Sequence, residues 1–256
     1  MLSSSNARLA AARRLTSRKG RRDAGRFLVE GAPGVREAIA AGAVLELFAT
    51  ADAVARDAAL TADAALISDK DAAALSETVT PQGLVAVCAM PSLTPEDVLA
   101  RGSRLLAALV EPNDPGNLGT IIRTADAAGA DAVFVDGGVD PYNGKAVRSS
   151  AGSLFHLPVV DCSIEVLLEL AGAAEILTLA ATGSGDCDLD GLADSGALAG
   201  PGLWLFGTEA HGLPASILAA ADRRVRIPMY GRAESLNLAS AAAVCLYASA
   251  RAQRSR

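Results

Sequence analysis

The chain has 256 residues, of which 51% are hydrophobic, 20% charged and 4% aromatic, and its formal net charge is −6. This composition excludes a disordered chain, which would be poorer in apolar and richer in charged residues, and the length provides for one large domain or two smaller ones. No apolar run approaches the ~18 residues of a membrane span, no apolar leader opens the sequence, and the acidic balance taken at face value argues against a nucleic-acid partner.

The charge is unevenly placed. Residues 1–26 carry Arg8, Arg13, Arg14, Arg18, Lys19, Arg21, Arg22 and Arg26 against Asp23 alone, a local balance of +7 that leaves −13 on the rest. Such a segment reads as the footprint of a phosphate backbone or as a solvated amphipathic helix with a basic face. Next come a strand at 27–31, a helix at 33–41 closed by Gly42, a strand at 44–49 and a helix at 51–60. Leu66-Ile67, a short helix near 71–75 and a strand at 84–89 complete a compact α/β unit. Pro91, Ser92, Thr94 and Pro95 interrupt the pattern and mark a linker near 91–100. The expected division is therefore a first domain at 1–95 and a second at 100–256.

Strands and helices alternate more regularly in the second half: strand 104–110, helix 118–128, strand 132–135, a helical piece from Asn143, then 157–160. Helix 164–171, strand 175–181, a Gly-rich stretch at 183–202 and strand 203–206 follow. The chain closes with 214–221, strand 224–227 and a long helix from Leu236. This alternation predicts a mainly parallel sheet covered on both faces, with ligands bound beyond the carboxyl ends of its strands. Cys88, Cys162, Cys187 and Cys245 form no Cys-x-x-Cys pair and have no histidine at ligand spacing, so they read as reduced core thiols. His156 reads as a satisfied core histidine and His211 as a turn or surface residue.

Three polar loops follow apolar strands. The first, Glu111 to Ala125, contains Asn117 and Arg123, whose six-residue spacing keeps them off a common helix face unless Asn117 is non-helical. The second, Leu205 to Pro214, places Gly207 directly after a strand, where a ligand can approach the backbone closely, and carries Glu209. The third, Arg226 to Ser240, offers Ser235 as the N-cap of the last helix and Asn237 in its first turn. Each loop has an ordinary structural reading by itself.

Together and in this order, NLGTIIRTADAAG, FGTEAHGL and IPMYGRAESLNLASA resemble the three motifs of the SpoU/TrmH family of RNA 2′-O-ribose methyltransferases, part of the SPOUT superfamily. The resemblance covers roughly residues 104–252. More loosely, the first half, opening with RKGRRDAGRFLVEG, is similar to the substrate-binding domain that many members carry. Thr208 stands where many members have Asn.

The resemblance implies a small N-terminal α/β RNA-binding domain followed by an α/β SPOUT domain, its parallel sheet threaded into a trefoil knot. It implies S-adenosylmethionine as the cofactor, bound through Gly207, Ile227 and Leu236 with support from Leu205, Leu238 and the Thr182-Gly183 loop. It further implies a homodimer, no metal, and methyl transfer to a ribose 2′-hydroxyl of RNA, with 23S rRNA favoured by the extra domain. Arg123 is the activating residue at its motif position. A guanidinium with a pKa above about 12 is awkward as a base, so a clamp on the phosphate and developing alkoxide is preferred. Asn117 would orient Arg123 or the ribose-phosphate, and Glu209, Ser235 and Asn237 would position the hydroxyl and hold the first-motif residues. The basic segment would bring in RNA, and the enzyme would be cytoplasmic. Alternatives are a tRNA 2′-O-methyltransferase, a catalytically silent RNA-binding ribosome-assembly protein, and an ordinary dinucleotide-binding enzyme, whose only hints are Gly183-Ser184-Gly185 and Asp136-Gly137-Gly138.

Overall fold

In a computed structural model, which describes residues Met1–Arg254, the basic segment forms two helices, α1 (Ala7–Arg14) and α2 (Arg18–Ala24). Asn6 and Ser17 cap them, and Gly25, at φ +60°, ends the second. Then come β1 (Arg26–Glu30), α3 (Ala32–Ala40), β2 (Val44–Ala49), α4 (Ala51–Arg56), β3 (Ala65–Leu66), α5 (Asp69–Ala74) and β4 (Leu84–Ala89). Helix α4 ends four residues before the expected Leu60, because Asp57 leaves the helical conformation and its carboxylate accepts from Leu60 N–H. The chain continues with α6 (Pro95–Leu99), β5 (Leu105–Val110), α7 (Pro115–Ala128), β6 (Ala132–Asp136) and α8 (Gly144–Ser149). It ends with β7 (Val159–Asp161), α9 (Ile164–Ala173), β8 (Leu177–Ala181), β9 (Cys187–Asp188), α10 (Leu189–Asp194), β10 (Gly202–Phe206), α11 (Ala215–Ala220), β11 (Arg223–Arg226) and α12 (Leu238–Arg254). Strand β8 begins at Leu177 and not at Glu175, whose φ of +56° belongs to a turn.

These elements cluster into two compact units, Met1–Pro91 with Asp140–His156, and Ser92–Val139 with the residues from Leu157 on. The first holds a sheet of order β1-β4-β2-β3, in which β4 runs antiparallel to both neighbours and β3 parallel to β2. Its core gathers Leu9, Leu15, Phe48, Ile67, Leu75, Val85 and Val87, so the apolar positions of the basic α1 are core residues. The segment 140–156, expected in the second domain, packs here. The Tyr142 ring lies 4.8 Å from that of Phe27, and Arg21 pairs with Asp140 at 2.6 Å.

The second unit has the predicted parallel sheet, in the order β7-β6-β5-β10-β8-β11-β9. The central strands LLAALV and GLWLF are buried along their whole length, as unalternating apolar runs in a parallel sheet should be. Trp204 Nε1 donates to Ser249 Oγ at 2.9 Å, fixing α12 against β10. Asp222 accepts from Thr178 N–H (2.8 Å) and hydroxyl (2.7 Å), fastening the entrance of β11 to β8. Among the described residues no helix is long and apolar enough to cross a membrane.

Candidate active site

Strands β10, β8 and β11 are consecutive parallel neighbours, with Leu205 opposite Ala180 and Val225 opposite Ala181. Whatever follows them therefore leaves from one edge of the sheet, and Thr182-Gly183, Gly207 and Ile227 are brought together there from three distant parts of the sequence. Thr182 N–H donates to Val225 O at 2.9 Å, holding the first of these exits against the third. Leu205 is different. It lies inside β10, paired to Ala108 and Ala180, and its side chain is buried in the core, so it has no free surface at the edge.

Beyond β10 the chain closes a tight turn, in which Thr208 and Gly212 exchange backbone hydrogen bonds of 3.1 and 2.9 Å and Thr208 Oγ1 accepts from His211 N–H at 3.1 Å. A Cβ on Gly207 would collide with the backbone of Gly212 and Leu213. The close approach that the bare Gly207 permits is thus made by the chain itself. His211 sits exposed in this turn, as expected, and Glu209 is held at its exposed tip.

Glu209 joins the three loops. Its Oε1 accepts from Asn117 Nδ2 and, at 3.1 Å, from Asn237 Nδ2, which also lies 3.4 Å from Asn117 Oδ1. Oε2 has no hydrogen-bond partner among the described residues. One open alternative closes here and one expectation is corrected. Asn117 is helical, because Asp114 caps α7 by accepting from Asn117 N–H at 2.9 Å and Pro115 pre-sets the first turn. Asn237, and not Ser235, caps α12. Its Oδ1 accepts from Ala239 N–H (2.9 Å) and Ser240 N–H (3.4 Å), while its carbonyl accepts from Ala241 N–H. Ser235 is exposed in the loop before the helix.

With Asn117 on the helix, Arg123 stands about 120° around the axis from it at 3.6 residues per turn. Arg123 is exposed, and among the described residues it makes no hydrogen bond or ion pair. Asn117 therefore does not orient Arg123; it orients Glu209. Beside the cluster is a hollow of about 210 Å³ lined by Pro112, Asn113, Asp114, Thr208, Ala210 and Leu238.

A larger groove of about 410 Å³ opens along the third loop, against Leu189, Asp190, Ile227, Met229, Leu236 and Val244. Ile227 and Leu236 are the expected residues on it, while Leu238 faces the hollow. Residues 227–236 form no backbone–backbone hydrogen bond among the described residues. The walls are mostly apolar and the loop's N–H and C=O groups are uncommitted. That combination suits a ligand with an aromatic base gripped through backbone atoms, as S-adenosylmethionine is. The sequence reading missed Asp190 and Tyr230, whose hydroxyl donates to Asp190 and is thereby pushed up in pKa. An aromatic residue inside the Pro228–Gly231 stretch was the only local signal.

In the first unit the basic residues divide. Arg21 is 4% exposed and is committed to Asp140 and Leu15 O; Arg13 pairs with Asp71, and Arg8 with Glu46 at 3.1 Å. Arg21 is buried in the domain, which corrects its assignment as an RNA contact, while Arg8 and Arg13 stay solvent-accessible beside their acidic partners. Arg14, Arg18, Lys19, Arg22 and Arg26 are exposed. His156 is also corrected. It is exposed, its Nε2 lying 3.2 Å from Glu37, and is not a core residue. All four cysteines are free. Cys88 and Cys245 are buried, Cys162 and Cys187 partly so, and burial pushes the Cys88 and Cys162 thiols up to about 12. No cluster of potential metal ligands occurs among the described residues.

Residues 104–247 match the SpoU rRNA Methylase family and residues 6–86 the MRM3-like substrate binding domain. Over 239 residues the chain is 35% identical to the 23S rRNA (guanosine(2553)-2′-O)-methyltransferase RlmP of Bacillus subtilis (strain 168), covering 92% of each. It is similar to the structure of the SpoU methyltransferase AviRb from Streptomyces viridochromogenes in complex with AdoMet, with 34% identity, a TM-score of 0.82 and coverage of 98% and 99% of the two chains. The AdoMet-bound rRNA methyltransferase from Sinorhizobium meliloti is 31% identical, with a TM-score of 0.83 and coverage of 98% and 96%.

Proposed function

The chain belongs to the SpoU rRNA methylase family, and on that premise we propose that it methylates a ribose 2′-hydroxyl of 23S ribosomal RNA with S-adenosylmethionine as methyl donor. The observation that carries this reading is the convergence of Asn117 and Asn237, from the first and third polar loops, on one carboxylate oxygen of Glu209 in the second.

S-adenosylmethionine, when bound, supplies a methyl carbon made electrophilic by its sulfonium. The chain's residues must then present a poor nucleophile in line with that carbon, and alignment alone contributes several kcal/mol. Glu209 does this with Oε2, which accepts the 2′-hydroxyl's hydrogen bond while Oε1 is held by the two asparagines. Arg123, exposed and uncommitted, binds the adjacent phosphate and stabilises the negative charge developing on the ribose oxygen. Ser235, in the loop before α12, adds a hydroxyl to the same positioning set. Backbone groups around Gly207, Ile227 and Leu236, with Thr182, Gly183 and Leu238, hold the cofactor.

RNA is delivered by the first unit through Arg14, Arg18, Lys19, Arg22 and Arg26, which lack aromatic neighbours in the segment and so favour phosphate contacts over base stacking. The same reading includes a trefoil-knotted second unit, a homodimer with its active sites at the subunit interface, and action in the cytoplasm. Calorimetry with S-adenosylmethionine tests it: saturable binding is expected, and none at millimolar ligand would remove the cofactor assignment.

A further inference from the structure

The cofactor groove contains one carboxylate. Asp190 is the second residue of α10, where its own N–H donates to the capping Asp188 Oδ1 at 3.0 Å, and it lines the groove together with Tyr230 and the apolar Leu189, Ile227, Met229, Leu236 and Val244. Asp188 faces Arg226 at 3.4 Å, whereas no cation pairs with Asp190 among the described residues. Among the described residues the only side chain bound to Asp190 is that of Tyr230, whose hydroxyl donates to Oδ2. That bond fixes the carboxylate's direction at the groove and leaves Oδ1 open.

We propose that Asp190 is a cofactor-binding residue, its carboxylate accepting hydrogen bonds from the O–H or N–H donors of S-adenosylmethionine. This rests on the methyltransferase reading above. Apolar walls can take an adenine ring out of water, but they leave the ribose hydroxyls and the α-ammonium group without partners, and a buried donor left unpaired opposes binding. An ionised carboxylate is an acceptor only, so it matches groups that only or chiefly donate. Its charge also suits a ligand carrying a sulfonium and an ammonium. Held by Tyr230, it meets the ligand already oriented, so little side-chain freedom is lost on binding.

The test is titration calorimetry of the full chain and of Asp190→Asn with S-adenosylmethionine and with 5′-methylthioadenosine, which keeps the adenine and ribose and lacks the amino-acid end. Asn is isosteric, and the site is exposed, so the melting temperature of the free variant should match that of the parent. The variant is expected to bind S-adenosylmethionine about tenfold more weakly. An equal loss with 5′-methylthioadenosine assigns the contact to the ribose hydroxyls; a loss confined to S-adenosylmethionine assigns it to the cationic sulfonium and ammonium end. Unchanged affinity for both ligands overturns the proposal. Failure of the parent protein to bind S-adenosylmethionine overturns the methyltransferase reading instead.

Discussion

Asn237 and Glu209 are joined by a 3.1 Å hydrogen bond from Nδ2 to Oε1, and the same asparagine caps α12 through its Oδ1. One residue thus starts the C-terminal helix and holds the second loop's carboxylate, so the helix end and the active-site geometry are set together. The two duties use different atoms and can be separated.

Asn237→Ala removes both and should cost about 1 kcal/mol of stability together with most of the methyl transfer. Asn237→Asp keeps an oxygen for the cap but replaces the Nδ2 donor with an oxygen facing Glu209. It should melt close to the parent and still transfer methyl poorly. Equal activity of Asn237→Asp and parent in a methyl-transfer assay would show that the link to Glu209 has no catalytic consequence.

Arg123→Ala alters an exposed residue that has no partner among the described residues, so its unfolding should be unchanged within about 0.5 kcal/mol. Cofactor affinity by calorimetry should stay near the parent value while methyl transfer to RNA is abolished. Full retained activity would refute the electrostatic role.

Neutralising Arg14, Lys19, Arg22 and Arg26 should weaken RNA binding and lower the slope of log K against log salt by about 0.7–0.9 for each phosphate that is no longer neutralised. Arg21→Ala behaves differently. It strands Asp140 in a nearly buried site and should destabilise the first unit by about 3–5 kcal/mol. Filter binding across a salt series, with thermal melts of each variant, separates the two outcomes.

The sequence made the parallel sheet of the second unit readable because its central strands are unbroken apolar runs, and it exposed the three loops because polar and glycine residues follow those runs directly. The basic segment was readable only as a sum. Nothing local marks Arg21 as the residue that meets Asp140, 119 positions away, or separates it from the exposed Arg22. The N-cap of α12 failed for a related reason, since Ser235 and Asn237 are both good capping residues and packing chose the second. Gly207 was marked as a place where a ligand approaches closely, and the backbone that approaches it in the free chain is that of Gly212 and Leu213 in its own turn. Gly207→Ala should accordingly destabilise the free protein, by about 1–3 kcal/mol or more, before any ligand is added.

Hydrogen bonds from the backbone and hydroxyl of Thr178 hold the Asp222 carboxyl below the ordinary carboxylate range, and the Ser68 hydroxyl, with Ser4 and Arg13, does the same to Asp71. Both folded values are lowered, so their stabilisation is present above the unfolded pKa of about 3.9 and is lost as pH falls through the lowered values. Thermal melts should be nearly flat from about pH 6 to about pH 4 with respect to these groups and fall below that. Asp222→Asn should start less stable at neutral pH and lose less on acidification; an unchanged acid slope would exclude Asp222 from this effect.

The central claim is tested most directly by incubating unmethylated 23S rRNA with the protein and S-adenosylmethionine and mapping ribose methylation nucleotide by nucleotide. The account predicts a new 2′-O-methyl group at a defined position, absent when Arg123→Ala replaces the parent protein. A methyl group placed on a base, or a ribose methyl formed equally well by the Arg123→Ala protein, would contradict it.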